Sequence, residues 1–287
     1  MKQFILKETP GPGGLIRLSG DDYHYLVRVR RLKPGDSFPV LLPERIPGKA
    51  LVLSTENGIL SGRVSAAEAP ARPALPPVVL FQALPKGTKI DLIVRQAAEG
   101  ALSEVVVFTA ERSVARPGKT EAAGKEERWR RIVKEARQQS GSAVETGILF
   151  CPSLDAALSR WAALREKYRK ALGLLLHQDS LAAGFLSRDG DTNNPDPAGD
   201  ETGTKRRGPL EQGTFHDYLD SKPEIVVLAA GPEGGFSGAE VRSFLKAGFK
   251  AVRMGDTVLR SETAALYGAA AVRIILLERT AWMTEKK

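Results

Sequence analysis

The fold is decided by the stretch Ile-Val-Val-Leu-Ala-Ala-Gly-Pro-Glu-Gly-Gly-Phe-Ser, which covers residues 225–237. Its first six residues are apolar, and a run of that length predicts a buried strand. Three glycines follow within 231–235, where they permit backbone conformations and a close ligand approach that a Cβ atom would prevent. Ser237 is a candidate N-cap for a helix that continues the chain. The stretch therefore predicts a strand, a glycine-rich turn and a helix.

A second unit of the same kind follows. Residues 250–254 are strand-like, and the polar turn after them contains Gly255. Ser261 then precedes an alanine-rich helix, which we expect from Glu262 to about Glu278. Each turn carries glycine and a carboxylate, and open α/β sheets bind ligands where strands end at such turns. The two units therefore predict a ligand site.

Simpler interpretations apply to the first turn taken alone. Gly-Pro-Glu-Gly-Gly is about as compatible with an ordinary loop as with a binding site. A phosphate-binding P-loop is excluded because no Lys-Ser or Lys-Thr follows the glycines, and this turn also lacks the G-x-G-x-x-G pattern of dinucleotide-binding proteins. The pairing of the two turns separates this sequence from those alternatives.

Together, the two turns resemble those of one enzyme family. The motifs are Gly-Pro-Glu-Gly-Gly-Phe-Ser-x-x-Glu, residues 231–240, and Gly-x-x-x-Leu-Arg-Ser-Glu-Thr-Ala-Ala, residues 255–265. They are similar to motifs of the knotted SPOUT methyltransferases and, among these, of the ribosomal RNA small subunit methyltransferase E family. The resemblance implies an α/β trefoil-knot domain and a homodimer with its active site near the interface. It also implies an enzyme that uses S-adenosylmethionine, without a metal, to methylate N3 of a specific uridine in 16S ribosomal RNA of the small subunit.

The N-terminal part has a different pattern of apolar and turn residues. Residues 1–70 contain short strand-like pieces separated by turn residues, which predicts a small β-barrel. Within it, the basic stretch 24–36 is similar to the PUA-like RNA-binding domain of the same family. Four cations of this stretch are expected to contact RNA phosphates: Arg28, Arg30, Arg31 and Lys33. The alternative is a solvated charged edge that discourages aggregation between strands.

The remaining chain is organised as one larger domain. Residues 69–77 contain four prolines, and we place an interdomain linker at 71–77. Strand-like and helical patterns alternate from residue 78, which is typical of an α/β domain, here expected over 78–287. Residues 188–213 have almost no apolar side chains and predict a disordered surface insertion.

Composition sets the broad class of protein. The 287 residues suffice for two domains, and the formal charge of +8 favours a polyanionic partner, although a merely basic enzyme fits the charge as well. The single cysteine, Cys151, excludes a disulfide framework and predicts a core residue, and three histidines make a zinc site unexpected. No apolar run reaches the length of a membrane span, and the N-terminus has no apolar signal segment. We therefore expect a cytoplasmic protein without a membrane partner.

The implied chemistry assigns roles to individual residues. Uridine N3 is a poor nucleophile until its proton leaves, so the reaction needs a base, and donors toward the flanking carbonyl oxygens. Glu233 and Glu262 are the candidate bases, and Arg260 is the candidate anion stabiliser or phosphate clamp. Glu262 is equally suited to complementing the dipole of its helix. The resemblance places the methyl donor against Leu228, Ala230, Gly231, Gly234, Met254, Gly255, Val258 and Leu259.

Further positions match the family in order along the chain. Three of them are cations that we expect to contact RNA: Lys86, Arg112 and Arg128. Three other positions lack a cation that the family usually has: Gln96, Ser142 and Thr257. Because each loss removes a charge that can hold RNA, two alternatives stay open. One is a non-catalytic RNA-binding protein of ribosome assembly, and the other is a SPOUT methyltransferase of another RNA, such as transfer RNA.

Overall fold

The computed structural model describes residues 3–43, 46–66, 75–178 and 213–280. The chain divides into two compact units, of which the first comprises Met1–Arg72 with Val133–Glu145 and the second Pro73–Ile132 with Thr146–Lys287. The predicted linker 71–77 lies outside the described residues except for its last three positions, and the predicted insertion 188–213 does so except for Gly213. The predicted domain boundaries stay predictions.

The first unit contains a five-stranded sheet. Its strands are β1 (Phe4–Ile5), β2 (Leu15–Leu18), β3 (Ser37–Leu41), β4 (Pro47–Glu56) and β5 (Ile59–Ala66). Their order is β1-β3-β4-β5-β2, with β1 parallel to β3 and the other neighbours antiparallel. Phe4, Phe38 and Leu60 are buried in the core between them.

The basic stretch of this unit is helical at its start. Helix α1 (Gly20–Tyr23) continues into a π-helical turn, His24–Val29, in which the N–H of Arg30 donates to the carbonyl of Tyr25. Leu26 lies on the inner side of this turn and is fully buried in the core. Burial of Leu26 therefore fixes the turn and leaves Arg28 on the outside.

The second unit is an α/β domain built on a six-stranded parallel sheet. Its strands are β6 (Val78–Ala83), β7 (Glu104–Phe108), β8 (Gly147–Cys151), β9 (Ala171–Leu176), β10 (Ile225–Ala230) and β11 (Lys250–Val252), in the order β11-β9-β10-β6-β7-β8. Every residue of β6 and β10 is buried, as expected for central strands covered on both faces. Cys151 is also buried, as predicted.

The helices of this unit connect and cover the strands. They are α2 (Lys89–Glu99), α3 (Lys119–Ser140), α4 (Leu154–Lys167), α5 (Phe215–Leu219), α6 (Gly238–Lys246) and α7 (Ser261–Thr280); α3 contributes its residues from Val133 onward to the first unit. No helix in the described ranges is both long and apolar enough to cross a bilayer.

Helix α7 lies close against the sheet at Gly268. A Cβ atom at that position would lie 2.9 Å from Cδ2 of Leu228 and 3.0 Å from Cδ1 of Leu176. These leucines belong to β10 and β9, and both are buried. The absence of a side chain at Gly268 therefore lets the helix rest on the two strands whose ends lead into the site.

Replacing Gly268 with valine is expected to lower the free energy of unfolding by about 1–3 kcal/mol, because the added methyl groups overpack this contact. Denaturant unfolding followed by circular dichroism measures the change. The matched control is Gly124→Val, since Gly124 is also inside a helix but no atom of the described residues lies within 4 Å of an added Cβ. Equal effects of the two substitutions would contradict the close packing of α7.

Candidate active site

The turns after β10 and β11 meet at the carboxyl edge of the sheet and enclose a cavity of about 300 Å³. The turn after β9 and the start of α7 complete its wall. The lining residues are Arg112, Leu176, His177, Gln178, Gly231, Pro232, Glu233, Gly234, Gly235, Phe236, Val252, Met254, Gly255, Thr257, Val258, Leu259, Ser261 and Ala264. A cavity of this size is at the lower end of the ~300–1,000 Å³ that small-molecule sites occupy.

The structure brings most of the predicted cofactor residues to this cavity. Six of the eight line it: Gly231, Gly234, Met254, Gly255, Val258 and Leu259. Leu228 and Ala230 are instead buried within β10, and the Leu228 side chain packs against Gly268. These two residues support the wall from behind without forming part of it.

Glycine is required at three points of the two turns. A Cβ atom at Gly231 would lie 3.2 Å from the Cα and 3.3 Å from the carbonyl carbon of Gly235, so the first turn folds back on itself too closely for a side chain. Gly235 and Gly255 have φ angles of +65° and +102°, in the region that L side chains rarely adopt. Backbone atoms therefore form much of the cavity wall.

A buried polar bridge joins the two turns. The hydroxyl of Ser261 donates to the carbonyl of Gly231 at 2.6 Å, and Nε2 of Gln82 lies 3.2 Å from that hydroxyl and 3.4 Å from the same carbonyl. Gln82 is fully buried at the end of β6. The bridge therefore ties the carboxyl ends of β6 and β10 to the first residue of α7. Sequence reasoning did not assign it, although a glutamine inside an apolar strand was an available signal.

Glu233 is held in the cavity wall by one donor from the β6–α2 connection and one from the first residue of α2. Both of its oxygens lie 3.2 Å from the backbone N of Lys86, and Oε1 lies 2.7 Å from Nζ of Lys89. Partial burial acts to raise the pKa of Glu233, but the hydrogen bonds from Lys89 and from the Lys86 N–H outweigh it and hold the pKa below its ordinary value. Glu233 is therefore a carboxylate at neutral pH.

The other two candidate catalytic residues lie at the start of α7 and do not line the cavity. Glu262 is largely buried, and its Oε2 lies 3.4 Å from Nζ of Lys89. Arg260 is exposed. One lysine, which sequence reasoning did not single out, therefore links the two predicted bases.

Arg112 is the predicted RNA contact that the structure places at the cavity. Its Nη1 donates to the carbonyl of Gly234 at 2.9 Å, and its aliphatic stem packs on that glycine. The loop that carries it is fixed by Glu240 of α6, whose Oε1 accepts from the N–H of Glu111 at 2.7 Å. Glu240 also forms a capping box with Ser237, the predicted N-cap.

The other predicted RNA contacts of the second unit differ in their surroundings. Lys86 is exposed beside Glu233, whereas Arg128 is paired with Asp91, whose Oδ1 also accepts from Nε1 of Trp129 at 3.2 Å. Of the positions at which the resemblance implies a missing cation, Thr257 lines the cavity, while Gln96 is exposed on α2. The effect of these positions on RNA contacts stays a prediction.

In the first unit, three of the four predicted phosphate contacts are exposed: Arg28, Arg31 and Lys33. Arg30 is half-buried, and its guanidinium carbon lies 5.8 Å from the centre of the Phe38 ring. A cation over an aromatic face is itself stabilised, so Arg30 has a structural contact within this unit. Ser142, which groups with this unit, donates its N–H to the hydroxyl of Ser140.

The described residues contain no group of three or more histidine, cysteine, aspartate or glutamate side chains that could hold a metal ion. The polar groups of the cavity are instead single side chains and backbone amides.

Comparison with known families decides the identity of the fold. The family model of the RNA methyltransferase domain matches residues 73–187 and 201–273, which together are more than half of the chain. The chain belongs to this family. A second model, that of the RNA methyltransferase PUA domain, matches residues 18–44, which include the helical basic stretch of the first unit.

The similarity of this RNA methyltransferase to named relatives extends over nearly its whole length. It is 26% identical over 277 residues to ribosomal RNA small subunit methyltransferase E 2 of Borreliella burgdorferi, which covers 96% of this chain and 98% of that protein. It is 27% identical to ribosomal RNA small subunit methyltransferase E of Mycobacterium bovis, over 95% of this chain and 91% of that protein. These relatives confirm the resemblance to the small subunit methyltransferase E family.

Solved structures show the same fold. The crystal structure of a ribosomal RNA small subunit methyltransferase E from Neisseria gonorrhoeae, bound to S-adenosyl methionine, is 20% identical, with a TM-score of 0.69 over 96% of this chain and 98% of that one. The prediction of an α/β SPOUT-type methyltransferase fold with a PUA-like part is therefore confirmed. The trefoil knot stays a prediction.

Proposed function

We propose that this RNA methyltransferase transfers a methyl group from S-adenosylmethionine to N3 of a specific uridine in 16S ribosomal RNA. The observation that carries the proposal is the joining of the two glycine turns into one cavity, with an ionised carboxylate in its wall. The relatives named above support the choice of ribosomal RNA as the substrate class.

The cavity fits a methyl donor with an adenine edge and a ribose. Adenine hydrogen-bonds well to main-chain amides and carbonyls, and the walls at Gly231, Gly235 and Gly255 expose their backbone because they carry no Cβ. Leu176, Met254 and Leu259 supply apolar contacts for a flat ring. S-adenosylmethionine supplies an electrophilic methyl group on a sulfonium when it is bound there.

The residues of the chain then act on the uridine. Glu233 accepts the N3 proton, because it is the candidate base that lines the cavity and is ionised. Arg112 and Arg260 are the cations available to balance the negative charge that develops on the uracil carbonyl oxygens. Holding N3 in line with the methyl group contributes much of the remaining acceleration.

The exposed cations extend the proposed RNA contact beyond the cavity. Four cations are exposed and carry charges suited to phosphates: Arg28, Arg31 and Lys33 in the first unit, and Lys86 in the second. We propose 16S ribosomal RNA, alone or within the small subunit, as the partner of the protein. We also propose that the protein acts in the cytoplasm.

A homodimer is proposed through the outer face of α7. Tyr267 is 63% exposed and Ile274 is 49% exposed on one side of this helix, and Leu92 is exposed on the neighbouring α2. Large apolar side chains clustered on a surface mark interaction sites.

Sedimentation equilibrium of the wild-type protein is expected to give twice the chain mass of 31.0 kDa. The Tyr267→Glu variant is expected to give the mass of the monomer. A wild-type monomer at micromolar concentration would contradict this assembly.

The proposed reaction is tested by incubating the purified protein with methyl-labelled S-adenosylmethionine and unmodified small-subunit RNA or assembled subunits. Mass spectrometry of the digested RNA is expected to show N3-methyluridine at one position. Transfer RNA serves as the alternative substrate in a parallel reaction. Transfer to transfer RNA alone would contradict the proposed substrate, and transfer to no RNA would contradict the proposed activity.

A further inference from the structure

Lys89 lies between the two carboxylates of the site. Its Nζ is 2.7 Å from Oε1 of Glu233 and 3.4 Å from Oε2 of Glu262. The three residues come from three segments, namely the first turn of α2, the turn after β10 and the first turn of α7. The lysine therefore joins the start of α2 to the first glycine turn and to the start of α7.

The two carboxylates differ in what they face. The Glu233 side chain is 35% exposed and lines the cavity. The Glu262 side chain is 14% exposed, and its Oε2 is buried and accepts no hydrogen bond from the described residues. A buried carboxylate oxygen needs a compensating charge, and Lys89 is the cation beside it. Glu262 is therefore positioned to hold Lys89, whereas Glu233 is positioned to meet a substrate.

We propose that Lys89 is a positioning residue that, held beside the buried Glu262, fixes the Glu233 carboxylate in the cavity wall. The inference rests on the function proposed above and deepens it, because it divides the two candidate bases between two roles. Glu233 accepts the uridine proton, and Glu262 holds Lys89 without taking a proton from the uridine.

The charges of this cluster determine the direction in which each substitution moves the pKa of Glu233. The ammonium of Lys89 stabilises the charged form of Glu233, so its removal raises the pKa of Glu233. Glu262→Gln keeps a side-chain oxygen beside Lys89 but removes a negative charge that opposes ionisation of Glu233, so it lowers that pKa. The two substitutions are therefore expected to move the same titration in opposite directions.

The other charged groups around Glu233 are not substituted in Lys89→Met or in Glu262→Gln. Arg112 approaches from the loop after β7 and donates to Gly234, His177 lines the cavity after β9, and Arg260 precedes α7. Lys86 contributes its backbone N–H from the β6–α2 connection. On α2 itself, Asp91 is already paired with Arg128. A shift of the Glu233 titration is therefore attributable to the substituted residue.

The test is a carboxyl titration by NMR of the full-length protein labelled with ¹³C at the glutamate side chains. The Glu233 signal is assigned by its loss in Glu233→Gln. The titration midpoint of Glu233 is expected to move to higher pH in Lys89→Met, to return toward wild type in Lys89→Arg, and to move to lower pH in Glu262→Gln. Lys125→Met is the matched control, because Lys125 forms a comparable ion pair with Glu121 at 3.0 Å on α3, and we expect no shift.

Methyl transfer provides a second readout. The acidic limb of the dependence of kcat/KM on pH is expected to move with the NMR midpoint in each variant, while the Kd for S-adenosylmethionine changes less than about threefold. An unchanged Glu233 midpoint in folded Lys89→Met would overturn the inference, as would a midpoint that moves in the same direction in Lys89→Met and Glu262→Gln. If Lys89→Met fails to fold, the Glu262→Gln midpoint decides.

The NMR measurement also separates this inference from the proposed function. Opposite midpoint shifts without methyl transfer by the wild-type protein would support the role of Lys89 and contradict the proposed reaction. Methyl transfer whose acidic limb is the same in wild type, Lys89→Met and Glu262→Gln would support the reaction and overturn the role of Lys89.

Discussion

Glu233→Gln is expected to slow methyl transfer by on the order of 10²- to 10⁴-fold, the usual contribution of a positioned general base. The amide cannot take up the uridine proton, yet its carbonyl oxygen still accepts from the Lys86 N–H that now binds the carboxylate. The turn after β10 therefore keeps its shape, and the Kd for S-adenosylmethionine is expected to change little. Single-turnover transfer to small-subunit RNA and calorimetry with the methyl donor measure the two effects.

The matched control for this substitution is Glu121→Gln. Glu121 also forms an ion pair with a lysine, Lys125, but lies on α3 and does not line the cavity. Its substitution is expected to leave the transfer rate within about twofold of wild type, since changes to exposed pairs are worth little. A Glu233→Gln protein with a wild-type rate would show that another group removes the proton.

Gly231→Ala is expected to weaken binding of S-adenosylmethionine by roughly tenfold or more. The added Cβ atom would lie 3.2 Å from the Cα of Gly235, and backbone cannot yield as a flexible side chain can. Overpacking of this kind costs about 1–3 kcal/mol, and about 1.4 kcal/mol corresponds to a tenfold change in affinity. Part of that free energy appears as lost affinity because the strained turn forms the cavity wall. Calorimetric titration with S-adenosylmethionine measures the loss.

Gly118→Ala is the matched control, because an added Cβ at Gly118 has no atom within 4 Å. We expect the Kd of this variant to equal that of the wild-type protein. Equal affinities of all three proteins would contradict the assignment of the first glycine turn to the methyl donor, whatever the transfer rates show.

The strands of the second unit were the part most accessible from sequence. β10 begins and ends where the sequence predicts, because its six apolar residues are bounded by Glu224 and by Gly231. The sequence does not predict β8 (Gly147–Cys151), since the periodicity of a short apolar run does not distinguish a strand from a segment of buried helix.

Helix boundaries were less accessible. The spacing of Trp129, Ile132, Val133 and Ala136 predicts a helix from Lys125 to Gln139, because Gly124 interrupts the helical pattern. α3 in fact begins at Lys119, six positions earlier. The structure places Gly124 in open space inside the helix, where it costs only its low helix propensity of about 1 kcal/mol. Neighbouring turns of the helix supply enough packing to carry the chain through it, and such tertiary support is not visible in a local pattern.

The site was predictable as a pair of turns but not in its connections. The motifs placed both glycine turns together, and the structure shows them lining one cavity. The roles of Gln82 and Lys89 depend on contacts with residues that are 149 and 144 positions away, respectively. Spacing within a motif carries no information about such partners. Leu228 shows a second limit of sequence patterns. Every residue of β10 is buried, so its sequence does not reveal which side chains face the ligand site.

The central claim is that the turns after β10 and β11 together hold the methyl donor, and a crystal structure of the protein with S-adenosylmethionine tests it most directly. The account predicts density for the donor between Gly231–Gly235 and Met254–Leu259, with its methyl group on the side of Glu233. A donor bound elsewhere on the chain, or a saturated crystal in which this cavity is empty, would contradict the account.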